Sequence, residues 1–162
     1  MSQMLKRQPA RVESLYAGGQ TGVDRAVLDV ALASGLKVTG WCPRGRRAED
    51  GPLDPRYPLR ETPSAHYAQR TEWNVRDSDG TLVLLRDEMD DGTALTIRQA
   101  IRQARPLLLV DLESSLDSAT VRQWIRRSAV QHLNIAGPRE SRSPGIYQVA
   151  RVFLEKLFVH LF

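Results

Sequence analysis

Ala17-Gly18-Gly19-Gln20-Thr21-Gly22-Val23-Asp24-Arg25 is the stretch that decides how the chain is read. Val12 to Tyr16 leads into it with strand character. Val23, Val27, Val30 and Ala31 follow at i, i+4, i+7 and i+8, which is one face of a helix. A glycine-rich turn between a strand and a helix lets backbone N–H groups converge on an anion, and the helix N-terminus adds about half a positive charge there. Gly18, Gly19 and Gly22 let a ligand approach the backbone closely, and Thr21 can donate its hydroxyl or cap the helix. The spacing is neither G-x-G-x-x-G nor a Walker A loop, because no Gly-Lys-Ser/Thr follows. The turn reads as a phosphate-binding one; the plain alternative is a tight βα turn with a capped helix.

Working outward, the rest of the chain repeats the strand–helix alternation. Gly35 stands where a glycine would end the first helix, and Leu36 to Trp41 reads as a second strand. Cys42 to Pro63 has no periodicity and holds five prolines, Pro43, Pro52, Pro55, Pro58 and Pro63. A loop of this length in a compact domain is uncommon unless functional or disordered, and we read it as a cover over the ligand; the alternative is a solvated excursion whose charges pair among themselves. Thr62 and Pro63 read as the N-cap and first position of a helix reaching about Asp77. That helix is polar, with Arg70, Asn74 and Asp77 on one face and Glu72 and Trp73 beside them, so it is expected to be exposed or to line a site or a subunit interface.

Thr81 to Leu85 and Pro106 to Val110 read as buried strands, and His132 to Ala136 as the last strand. Asp91-Gly92-Thr93 opens a helix with Ala94, Ile97, Ile101 and Ala104 as its apolar line. Another starts near Ser118 with Val121, Trp124, Ile125 and Ala129 inward. The final helix runs from about Pro144 to the end, with Val149, Val152, Phe153, Leu157 and Leu161 as its ridge. Phe158 and Phe162 make it richer in apolar surface than a one-sided helix needs, so part of it should meet another subunit.

The expected fold is therefore α/β: a Rossmann-like, doubly wound, mainly parallel sheet with helices on both faces. In such sheets ligands bind outside the carboxyl ends of the strands. The Gly18 turn, the Trp41 to Gly51 loop, the Gly92 turn and the turn Gly137-Pro138-Arg139-Glu140 all fall at that edge.

Composition narrows the class. The chain has 162 residues, 41% apolar and 26% charged, which suits a single domain, with residues 1–11 a loose lead-in. No apolar run approaches a membrane span and no signal peptide is visible, so the cytoplasm is the expected location. The single cysteine, Cys42, excludes an internal disulfide and reads as a buried, inert thiol. The net charge is +4, and only Lys6, Lys37 and Lys156 are lysines. Arginine suits bidentate recognition of phosphate, but many arginines fall on polar helix faces, so nucleic acid is disfavoured as a partner. No G-x-S-x-G elbow, Ser/His/Asp set or metal-spaced Cys/His cluster is present, and His66, His132 and His160 are scattered. The inventory suits binding of a polyanion better than bond-breaking; no catalytic residue and no metal ligand is expected.

The motifs Gly18 to Arg25, Gly40-Trp41-Cys42-Pro43-Arg44-Gly45-Arg46, Ala48-Glu49-Asp50-Gly51-Pro52, Arg70 to Thr81 and Asn134 to Ser141 resemble those of the molybdenum cofactor carrier proteins. That family falls in a Rossmann-like superfamily with the LONELY GUY phosphoribohydrolases and the DNA-processing protein A family. The resemblance covers the chain from about residue 12 onward. It implies a homo-oligomer, dimer or tetramer, that binds the molybdenum cofactor (a molybdopterin), then protects it or delivers it to molybdoenzymes or receives it from cofactor-synthesis proteins.

On this resemblance the turn Gly18, Gly19, Gln20, Thr21 and Gly22 and a nearby arginine hold the phosphate, Arg44, Arg46 and Arg139 hold further anionic oxygens, including molybdate, and Arg25 and Gly45 belong to the same site. Glu72, Asp77 or Asp24 takes the pterin's N–H donors, and Trp41 or Trp73 stacks on the ring. Glu49, Asp50, Asn74, Gly92, Thr93 and Gly137 complete the expected site. The phosphoribohydrolases carry a glutamate three residues after the threonine of a glycine-threonine turn; Thr96 stands there, so that hydrolysis is not expected. The alternative is a nucleotide-binding sensor or nucleotide-processing enzyme of the same superfamily.

Overall fold

The computed structural model describes residues 11–162, so the loose segment expected over residues 1–11 lies almost wholly outside them. In chain order the elements are β1 (Ser14–Tyr16), α1 (Val23–Ala33), β2 (Val38–Thr39), β3 (Trp41–Cys42), β4 (Arg60–Glu61), α2 (Tyr67–Asp77), β5 (Gly80–Leu85), α3 (Asp91–Arg102), β6 (Leu107–Asp111), α4 (Ser118–Arg127), β7 (His132–Ala136) and α5 (Ile146–Phe158). Five strands form one parallel sheet in the order β2-β1-β7-β5-β6. Helix α1 packs on α5 and α5 on α4, while α2 packs on α3. Right-handed crossovers place these two groups on opposite faces of the sheet. The fold is the Rossmann-like α/β sandwich expected, with its core in Leu15, Leu82, Leu84, Leu133 and Ile135 of the strands and Val27, Leu28, Leu154 and Leu157 of the helices.

Several boundaries differ from the sequence reading, each for a physical reason. The second strand does not run through to Trp41. Gly40 breaks it at φ 142°, and a Cβ there would lie 2.2 Å from the Ala17 carbonyl oxygen. Trp41 and Cys42 instead pair with Arg60 and Glu61 in a separate two-stranded sheet, so the proline-rich loop contains regular structure after all. Thr62 does not cap a helix: its N–H and hydroxyl both bond the Cys42 carbonyl, which holds it extended, and α2 starts at Tyr67.

Burial corrects the remaining stripes. Helix α3 buries Thr93, Thr96 and Ala100 rather than Ala94, Ile97, Ile101 and Ala104. The threonines can be inside because Thr93 bonds the capping Asp90 carboxylate and Thr96 the Gly92 carbonyl. Ile101 is 68% exposed, and Ala104 lies past the helix end. Strand β6 is an edge strand rather than a fully buried one, which leaves Leu109 47% exposed. Ala129 lies beyond α4 and is exposed. Helix α5 begins at Ile146 and buries Ile146, Ala150, Leu154, Leu157 and Phe158, so that Val149, Val152 and Phe153 lie outside that ridge.

Leu154 and Ile101 make a matched test of this packing. Leu154→Ala should cost about 2–5 kcal/mol through lost burial and a cavity. Ile101→Ala should stay within about 0.5 kcal/mol. Urea unfolding of both variants measures the difference.

Candidate functional site

Three parallel strands, β1, β7 and β5, deliver their carboxyl ends to one hollow. The Gly18 turn follows β1, the Gly137 turn follows β7, and the loop after β5 leads to α3. Together they enclose a cavity of about 240 Å³, walled on one side by Tyr67, Arg70, Thr71 and Asn74 of α2 and on another by Asp91 to Thr96 of α3. Gly18, Gln20, Asp24, Gly137 and Arg139 complete the lining. This is the crevice where open α/β sheets hold ligands.

At its floor lies a buried ion pair. Arg70 Nη1 donates to Asp24 Oδ2 at 3.0 Å, and the two residues are 8% and 5% exposed. The Gln20 N–H also donates to Asp24 Oδ2, at 3.2 Å, so the carboxylate folds the glycine turn back on the first turn of α1. Full burial pushes the Asp24 carboxyl above its ordinary value, opposed by the charge and hydrogen bond of Arg70. Gly18 is needed because an added Cβ would stand 1.8 Å from Arg70 Nη1. At the mouth, Asp90 caps α3 by accepting from the Thr93 N–H and hydroxyl, and its second oxygen accepts the Arg139 N–H at 3.0 Å. Asp90 thereby joins the two rims.

Of the residues expected to bind, the structure brings Gly18, Gln20, Asp24, Asn74, Gly92, Thr93, Gly137 and Arg139 to the cavity. Gly19, Thr21, Gly22, Arg25, Trp41, Arg44, Gly45, Arg46, Glu49, Asp50, Glu72, Trp73 and Asp77 do not line it. The glycine turn also offers fewer donors than its sequence suggests, since the Thr21 N–H bonds Gln20 Oε1.

The long loop closes on the back of that turn rather than over the cavity. Glu49 is its clip. The Thr21 hydroxyl donates to Glu49 Oε1, the Ser141 hydroxyl donates to Oε2 at 2.6 Å, and the Glu49 N–H donates to Gln20. Burial raises the Glu49 carboxyl, but hydrogen bonds from Ser141 and Thr21 outweigh it and bring the net shift below the usual range. Arg25 pairs with Asp50 at 2.9 Å and also donates to the Gly19 carbonyl. The Arg46 guanidinium donates to four carbonyls, of Leu53, Leu59, Asp54 and Tyr57, and so organises the loop from within. The Gly45 N–H donates to Glu61, and Arg44 points to solvent. Cys42 is buried, and burial pushes its thiol up.

Trp41 and Trp73 form their own cluster against α2, away from the cavity. Asn74 brackets Trp41 by accepting from its N–H at 2.8 Å and donating to its carbonyl at 3.0 Å. The Trp41 indole donates to Asp77 at 2.7 Å and meets Trp73 edge-on. Glu72 is exposed and turned away from the cavity. The aromatic ring that does line the cavity is Tyr67, flanked by Arg47 and Arg70.

Sequence reasoning did not assign Arg70, Tyr67, Asp90 or Asn134 to the site. Arg70 carried a signal, its i, i+4 spacing to Asn74 on a polar helix; Tyr67 and Asp90 depend on boundaries that only the folded loops set. No group of three or more His, Cys, Asp or Glu side chains among the described residues could hold a metal ion. No helix among them is long and apolar enough to cross a membrane.

Residues 15–158 match the model of the Circularly permutated YpsA SLOG family. The chain belongs to that family. The permutation is visible in the sheet. Counted from β7, with β1 second, β2 third, β5 fourth and β6 fifth, the order β2-β1-β7-β5-β6 becomes the 3-2-1-4-5 of nucleotide-binding sheets. The crevice sits where that order reverses, beside β7. Among solved structures, this SLOG chain is similar to a protein from Syntrophus aciditrophicus SB named "putative molybdenum carrier protein". The two are 40% identical with a TM-score of 0.84, over 92% of this chain and 96% of that one. No curated protein matches.

Two outcomes follow from the geometry. In Gly18→Ala the tip of Arg70 can swing aside, but Asp24 then loses its buried partner, at a cost of about 3–5 kcal/mol in urea unfolding. The second concerns Asp77, whose carboxyl is held below its ordinary value chiefly by the Arg76 hydrogen bond and also by Trp41, against burial. A depressed carboxyl stabilises the fold above its unfolded value of 3.8 and loses that contribution as pH falls through the folded value. Tryptophan emission should therefore titrate below about pH 4, and Asp77→Asn should abolish that step.

Proposed function

We propose that the cavity binds a small phosphorylated heterocycle, the molybdenum cofactor foremost, and that the protein is a carrier rather than an enzyme. The observation that carries this reading is the mixed charge of the cavity wall. Asp24, Asp90 and Asp91 face Arg70 and Arg139 in one hollow at the carboxyl ends of the strands. A wall with three carboxylates and two guanidiniums repels a simple polyanion. It suits a ligand that is anionic at one end and rich in N–H donors at the other, as a phosphorylated pterin is. Arg139, beside Gly92 and Gly137, is the group placed for the anionic end. Tyr67 is the ring available for stacking, in place of Trp41 and Trp73. The name of the Syntrophus aciditrophicus SB protein points the same way.

The nucleotide reading has its own support in the strand order, which is that of nucleotide-binding sheets. Native mass spectrometry with molybdenum cofactor, AMP, ADP-ribose and GTP separates the two. Cofactor retained at about one per subunit with nucleotides lost is the expected result, and Arg139→Ala should weaken retention by roughly tenfold or more, as loss of a charged hydrogen bond does. Nucleotides retained with cofactor ignored would replace the ligand.

In the same reading the protein works in the cytoplasm as a homo-oligomer that exchanges its ligand with molybdoenzymes or cofactor-synthesis proteins. Val149, Val152 and Phe153 of α5 support the oligomer, since with Leu112 and Leu116 they form the apolar part of a hollow of about 520 Å³ that is otherwise lined by polar side chains such as Ser115, Asp117 and Lys156. Light scattering at micromolar concentration should show a dimer or tetramer; a monomer sinks this part of the reading.

A further inference from the structure

The floor of the cavity holds a donor and an acceptor that the protein itself leaves open. Arg70 commits only Nη1 to Asp24, and its Nε is sealed without a partner. Its second terminal nitrogen, Nη2, has no partner among the described residues and is not among the sealed atoms. Asp24 uses Oδ2 for both Arg70 and the Gln20 N–H, while Oδ1 likewise has no partner and is not sealed. Both residues line the cavity and both are more than nine-tenths buried. Nη2 and Oδ1 are therefore the two floor atoms left to a ligand. Because the pair is neutral as a whole, it is a poor seat for phosphate, whose place is at Arg139.

We propose that Asp24 and Arg70 read the lactam edge of the ligand's ring, with Asp24 Oδ1 accepting the ring N–H and Arg70 Nη2 donating to the adjacent carbonyl. The proposal rests on the phosphorylated-heterocycle reading and gives that ligand an orientation, ring inward and phosphate at the mouth. Both bonds are charge-assisted, and the acidic lactam N–H is the strongest donor such rings offer a carboxylate. Pterins and 6-oxopurines share this edge. Adenine presents a weaker amino donor beside a ring nitrogen. Tyr67, which lines the same cavity, supplies a face for either ring.

The test is calorimetric titration of the full chain with dihydroneopterin phosphate, GMP, AMP and inorganic phosphate. Either of the first two should bind, and the stronger identifies the source of the lactam. Methylating the lactam nitrogen of that ligand, N3 of the pterin or N1 of guanine, should weaken it at least about tenfold, and AMP should be weaker by a similar factor, because a buried polar pair is left unmet. Arg70→Lys and Asp24→Asn should weaken the lactam ligand while leaving phosphate affinity unchanged. The methylated ligand tests the wild-type chain, so the proposal stays open to refutation even where Asp24→Asn fails to fold. A methylated ligand or AMP bound as tightly as the parent overturns the lactam assignment and leaves the heterocycle reading standing. If dihydroneopterin phosphate, GMP and AMP all fail to bind the wild-type chain, the heterocycle reading falls and this proposal with it.

Discussion

Asp24 is the group on which the architecture of the site depends. Its carboxylate stands in the first turn of α1, favoured there by the helix dipole. From that position it holds the Gln20 N–H of the preceding turn and, 46 residues on, the guanidinium of Arg70. One buried side chain thus ties the glycine turn, α1 and α2 into a single rigid corner. Burying two charges is unfavourable by itself and is tolerated only with close geometry and further hydrogen bonds. A buried pair of this kind is weak evidence for stability.

Around that corner the same logic recurs with less burial. Glu49 holds the glycine turn to the last turn of the sheet, Asp90 holds α3 to Arg139, and Asn74 holds α2 to Trp41. Each is a polar side chain that satisfies backbone N–H groups of a neighbouring loop, doing between loops what strand pairing does within the sheet. The loops of the cavity wall are stitched to one another by side chains. That division of labour explains why several charged residues that a sequence reader assigns to a ligand are found holding the frame.

The sheet was legible in the sequence because its strands are short apolar runs separated by helical periodicity, and both signals are local. Val23, Val27 and Val30 fall inside as their spacing says. The site was legible at the level of turns, since glycine turns at strand ends must gather at one edge. It was not legible residue by residue. Whether Arg46 faces a ligand or four carbonyls of its own loop depends on the path of that loop, which no periodicity encodes. Glu72 and Arg70 are two positions apart on α2 and point to opposite sides, and the boundary shift from Thr62 to Tyr67 was outside local reading because it depends on a pairing with Cys42. Thr93 and Thr96 fall outside the apolar line that the sequence suggests for α3 and are nonetheless its buried face, because each hydroxyl finds a partner one turn back.

The permuted order has a consequence for how the molecule comes into being. Strand β7 occupies the middle of the sheet and is hydrogen-bonded to both β1 and β5, yet it follows both of them in the chain. Without β7, β2-β1 and β5-β6 share no hydrogen bond and would each present a bare inner edge. Non-local pairing of this kind is slow, and unpaired edges invite contact with other chains. The crevice, built on both sides of β7, exists only once β7 is inserted between β1 and β5. Until β7 is in place, the two walls of the crevice have no common frame.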